Sequence, residues 1–284
     1  MTPPGIQPQI AAPSHKSVYL APFRLLMLGH IPLVFYVGLS AWGTIVGLTY
    51  VHYYLQLWIG FPLLEFNVSE IATLRIKFAA ACVVWSFGFP VILTLATLPT
   101  RIVSLQGCLN FDEIIPLTFR SFQLSIVTTY LAFKKAIYFL LPIAGVFILY
   151  HTYVKEHQSK EISSLFLFIS FVTVAYSLFK IFPILASPIL AIAGQFKPYE
   201  AVNWSHEVYS KRRLDFLAVT TGMITALASV NFYLHNAHFA FVKASTTELG
   251  AYAAIIWYGL TALAALTLQR IVEVTGQSTK QTYL

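Results

Sequence analysis

Apolar positions along this chain fall into long unbroken stretches separated by short polar intervals. Six of them are long enough to cross a membrane: near Leu25–Tyr50, Phe78–Leu98, Ala136–Val154, Ser163–Phe182, Leu214–Leu234 and Gly250–Gln269. A hydrocarbon core about 30 Å thick takes roughly 20 helical residues to cross. The pattern predicts an all-α, polytopic integral membrane protein of about six transmembrane helices, with amphipathic helices at the interface. Residues 1–24 form a Pro-containing tail, and 25–284 form the six-span membrane domain. The apolar run after the tail is too long for a signal core and lacks a clean small-x-small site, so the tail is expected to stay on the chain.

Two segments depart from plain spans. Between Leu117 and Phe133, Thr118, Ser121, Ser125, Thr128 and Thr129 recur every three or four residues. Phe119, Phe122, Ile126, Tyr130 and Phe133 occupy the opposite face. This 3.6-residue period predicts an amphipathic helix along the inner interface, with Lys134 and Lys135 at the headgroups. The alternative is a hydroxyl face turned inward to line a polar cavity. The second segment, Ser163–Gln195, is an apolar run of 33 residues interrupted by Lys180, Pro183 and Pro188. As one straight helix it would measure about 50 Å, too long for one crossing, yet it is too short for two. It is expected to bend near Pro183–Pro188, where each proline removes a backbone hydrogen bond. The remainder lies at the inner face or re-enters.

Composition supports the membrane reading: of 284 residues, 57% are hydrophobic and 10% charged, and the mean hydropathy is +0.71. So few charges cannot clothe a water-facing surface, for which about 25% is usual. The net charge of +7 does not indicate nucleic acid, because the cations stand singly between apolar runs. They orient the chain instead. With the N-terminus inside, twelve Lys and Arg fall on the inner side and five outside, with Lys180 left over. Positive-inside loops therefore put both termini in the cytoplasm, in a membrane of the prokaryotic inner (plasma) type. Cys82 falls in a span and Cys108 in an inner loop, so no disulfide is expected.

Lys180 is the one charge inside a predicted span. It either snorkels to the inner headgroups or lines a pathway. No Asp or Glu lies deep in a span, which argues against a proton or sodium relay. His151/His157 and His235/His238 map to the outer side without a ligand-like spacing, so no metal or other cofactor is expected. There is no nucleophile elbow and no Gly-rich phosphate loop, so the chain reads as non-enzymatic. Gly43 and Gly47 form a GxxxG step. Ala218, Gly222 and Ala226 make a small-residue ridge that suits close helix packing, within the chain or against a partner.

The loop from Lys197 to Arg213 has a helical period in Ala201, Ser205, Val208 and Tyr209, closed by Lys211-Arg212-Arg213. It reads as an interfacial helix with a positive-inside anchor. Lys180, Ser205, Lys211, Arg212, Arg213, Lys134 and Lys135 are the candidates for contact with lipid or a partner, either another membrane protein or a second copy. A proline-broken segment (Pro183, Pro188, Ala191), Ala201-x-x-x-Ser205, a basic cluster and a new span together resemble the bacterial YciC-like proteins and the membrane domain found beside some glycerophosphodiester phosphodiesterases. Here the basic cluster lacks that group's glycine. The resemblance covers about 60 residues and implies six spans with no established activity.

The expected roles are a structural or accessory one, or a small transporter whose pathway runs beside the broken fourth span. The topology is tested by fusing a reporter active only in the cytoplasm to Leu284, and one active only outside to the His235–Lys243 loop. Both should be active, and silence from both overturns the orientation.

Overall fold

The structure is a computed structural model in which residues 18–27, 31–65, 69–106, 111–150, 152, 160–236 and 246–275 are described. Residues 1–17 of the tail, Cys108, His151, His157, His238 and the outer lysines Lys155 and Lys243 lie outside them. Among the described residues nine helices follow one another with no strand: α1 (Ala21–Met27), α2 (Ile31–Glu65), α3 (Glu70–Gln106), α4 (Phe111–Leu149), α5 (Lys160–Leu185), α6 (Ser187–Gly194), α7 (Pro198–Ser210), α8 (Arg213–Asn236) and α9 (Thr246–Thr275). Five stretches within them are long and apolar enough to cross a membrane: in α3, in α4, across α5 and α6, in α8 and in α9. The chain is an all-α polytopic membrane protein.

The first expected span is divided: its residues 25–27 belong to α1, and 31–50 lie in the 35-residue α2. α2, apolar over its 35 residues, is also long enough to cross. The end of the expected polar tail is packed. Val18 and Leu25 are buried, and Tyr258 of α9 donates a hydrogen bond to the Tyr19 carbonyl at 3.0 Å.

α9 is the central helix. In its most apolar window 67% of residues are buried, against 11–22% in the other four. The outer helices instead turn Leu, Phe and Tyr outward, as at Phe168, Phe171 and Tyr130. A surface of that kind needs lipid as its solvent.

The amphipathic segment corrects one expectation. Leu117–Phe133 is not a separate interfacial helix but the first part of α4, a single 39-residue helix. Its polarity is also inverted for a water-facing role. Ser121, Ser125 and Thr128 are fully buried, whereas Phe119, Tyr130 and Phe133 are exposed. In lipid the aromatic face is the outer one and the hydroxyls must turn toward protein, which was the alternative reading.

The proline-broken segment separates at Ala186, the turn between α5 and α6. Pro188 has no N–H for the Ile184 carbonyl, and the Ser187 hydroxyl donates to that oxygen at 2.6 Å. All eight residues of α6 are buried, enclosed by α3, α4, α7 and α9. α6 therefore re-enters the bundle and does not rest on its inner face. α7 then starts on an extended Lys197 followed by Pro198 at its first position, with Glu200 in the first turn.

Tyr209 of α7 ties these pieces together. Its hydroxyl donates to the Ala186 carbonyl at 3.0 Å and lies 3.2 Å from the Thr267 hydroxyl of α9. Its ring meets Phe216 edge-on at 4.6 Å. Burial pushes the phenol's pKa well above its ordinary value, so it remains a donor. Tyr209→Phe should cost about 1–2 kcal/mol for the lost hydrogen bonds, and Tyr209→Ala about 3–5 kcal/mol through the added cavity. Detergent-unfolding curves of the two variants check this, and equal costs would mean that the hydroxyl contributes nothing.

Candidate functional site

Two regions stand out, and each rests on how helices end or fail to meet. The first is a buried polar seam around α6. A helix leaves its last carbonyls unbonded, and inside an apolar bundle no water is at hand to satisfy them. Arg101 of α3 supplies one answer: it is 8% exposed, and its Nε–H donates to the Ala193 carbonyl at 3.0 Å. Arg270 of α9 does the same for α7, donating from Nε to the Val208 carbonyl at 3.2 Å. Each cation also complements the negative end of a helix dipole. Arg270 is held in turn by Glu273 at 3.0 Å, and Glu273 also accepts from Arg212 Nε at 3.1 Å.

At the end of α6, Gln195 takes a left-handed backbone, φ 52°, as helix C-terminal residues often do. Its amide donates to Ser121 Oγ and to the Ile192 carbonyl, both at 3.0 Å. The Gln195 Oε1 and the hydroxyls of Thr97, Ser125 and Thr129 are buried without a partner among the described residues. The seam thus holds more polar atoms than its own bonds satisfy.

The second region is an apolar groove of about 790 Å³ on the surface of α9. α1 and α2 wall one side and α8 the other. Its lining includes Trp42, Ala218, Gly222, Met223, Ala226 and Tyr258. This volume lies within the range of about 300–1,000 Å³ typical of small-molecule sites.

The positions expected to mediate helix packing fall elsewhere. An added Cβ at Gly43, Gly47 or Gly222 would meet nothing within 4 Å among the described residues. Ala218, Gly222 and Ala226 line the groove instead. The close approaches are made by Gly88, where a Cβ would lie 2.7 Å from Leu48, and by Gly259 against Met223.

The basic candidates divide. Ser205 is fully buried and donates to the Val202 carbonyl of its own helix at 2.8 Å, so it faces neither lipid nor partner. Arg212 is paired with Glu273 and lies 4.0 Å from Asp215. Lys211 and Lys134 are exposed. Arg213 stacks on Phe179 with 3.7 Å between guanidinium and ring centre, and Lys180 Nζ lies 5.8 Å over Tyr176. Lys180, Arg213 and Lys135 converge on His206, whose pKa is lowered by burial first and then by those three charges in that order.

In the sequence Arg101 and Arg270 count only among the twelve inner-side cations, and nothing there gives a role to Gln195 or Tyr209. The available signal was an arginine a few residues past an apolar run, where the helix itself continues. Arg101→Leu should destabilise the protein by about 2–3 kcal/mol, since it strands the Ala193 carbonyl. Thermal unfolding in detergent measures this, and a transition unchanged from wild type would show the bond to be idle. The chain matches no family model, no curated protein and no solved structure.

Proposed function

We propose that the chain is a non-enzymatic inner-membrane protein, with both termini in the cytoplasm and α2 as a sixth crossing, that holds the acyl chain of a membrane lipid in the groove on α9. The groove carries the proposal. It is bounded by helices of a membrane protein, so the medium that reaches it is lipid, and its lining offers apolar surface with few polar groups. Small side chains at Gly38, Ala218, Gly222, Ala226 and Ala254 leave the space, and Trp42 and Tyr258 give it aromatic walls. An acyl chain gains by dispersion against such walls and needs no hydrogen-bond partner. A polar solute would find few here, chiefly at Tyr19, Trp42, Trp257 and Tyr258. The role that fits is structural or accessory, with the bound lipid as part of the working protein.

A second reading, a transport pathway beside the broken fourth span, is favoured by the unpartnered hydroxyls of Thr97, Ser125 and Thr129 next to α6. It requires the seam to open to water.

A phospholipid carrying a photoreactive group in its acyl chain separates these. Illumination of the reconstituted protein should label Met223, Ala254 and Tyr258, and Gly222→Phe with Ala226→Phe should reduce that labelling about tenfold. Labelling spread evenly over lipid-facing residues such as Phe168 and Phe171 would sink the groove reading. Entry of a water-soluble thiol reagent at Ser125→Cys would favour the pathway.

A further inference from the structure

Near the start of α8, four elements bring their charges together. The seam between α4 and α5 is closed by Ala132 and Ala136 against Ile181 and Ile184, and Lys135 and Lys180 flank it in sequence. Arg213 opens α8 and stacks on Phe179, the residue before Lys180. α7 packs against both α4 and α5 and contributes His206, within electrostatic reach of all three cations. Three cations from three helices thus lie within electrostatic reach of one histidine on a fourth.

Like charges gathered in this way repel, and a fold normally sets carboxylates among them. Here Asp215 and Glu273 are engaged by Arg212 and Arg270. Glu200 and Glu207 of α7 are exposed. Among the described residues no ion pair joins Lys135, Lys180 or Arg213 to any carboxylate. Arg213 Nε is buried and has no hydrogen-bond partner among them. The aromatic faces of Phe179 and Tyr176 position the cations but do not neutralise them.

We propose that Lys135, Lys180, Arg213 and His206 form a binding site for a phosphate group, and that the headgroup of an anionic phospholipid at the inner leaflet supplies it. Arginine and lysine suit phosphate in different ways: the guanidinium offers a planar fork of donors, and the ammonium a compact charge. Lys180 follows an apolar run and lies five residues before the end of α5, a place from which a lysine can extend to the inner headgroups. The proposal is independent of the groove, which takes an acyl chain and carries no cation.

The test uses the full chain purified in a neutral detergent, with native mass spectrometry in mixed micelles of phosphatidylglycerol and phosphatidylcholine. A second arm measures binding of inorganic phosphate by calorimetry. Wild type should retain phosphatidylglycerol at least fivefold over phosphatidylcholine, and Lys135→Gln with Lys180→Gln should erase the preference. Lys180→Arg should keep it, and Arg75→Gln on the expected outer side should leave it unchanged. Phosphate binding that the double variant loses, without lipid preference, would support the site and assign it a free anion in place of the headgroup. A preference equal in wild type and double variant, or no binding of either probe, would overturn the site. If the double variant fails to fold, Lys180→Gln alone carries the same comparison.

Discussion

A backbone carbonyl inside an apolar bundle must find a donor within the protein, and the arrangement of α6 follows from that requirement. The helix has eight residues, is fully buried and stops in the interior. Its last carbonyls are the most expensive groups in the fold to leave unbonded. Arg101 answers Ala193, and the side chain of Gln195 folds back on Ile192. The break that frees α6 has its own compensations in Ser187 and Tyr209. α3, α4, α7 and α9 pack on this short element, so each of them is positioned by the need to close it in.

The same principle orders the rest of the polar groups. Thr94, Thr100, Thr128, Thr261 and Thr267 return their hydroxyls to their own helix, four residues back. Such bonds cost nothing in packing and let a threonine sit where lipid or apolar side chains surround it. Among the described residues the hydroxyls of Thr97, Ser125 and Thr129 find no such partner, and neither do Ser177 Oγ on α5 and Trp257 Nε1 on α9.

Much of this fold could be read from the pattern of apolar runs, because each run long enough to cross is helical. What could not be read was where the helices end. α3 continues through Arg101, and α4 begins well before Ala136, since a helix can extend through polar residues when protein covers them. The inward turn of Ser121 and Ser125 was legible as a period but not as a direction: an amphipathic stripe has the same spacing whether its polar face meets water or protein. Lys180 was legible as an isolated cation and Arg213 as the last of a basic cluster. Their meeting with Lys135 and His206 was not, because it joins helices far apart in sequence. Arg101 was the hardest to assign, since its partner is a backbone carbonyl 92 positions away and no residue type marks it.

Arg101 and Arg270 also belong to two stages in the life of the chain. While helices enter the bilayer one by one, a cation at the end of an apolar run resists being moved across and so fixes which way that helix faces. At that stage neither α6 nor α7 is in place to accept a bond from it. Once the bundle closes, the same charge is withdrawn from the lipid surface and spent on a helix end. An arginine used twice in this order links biogenesis to the finished fold.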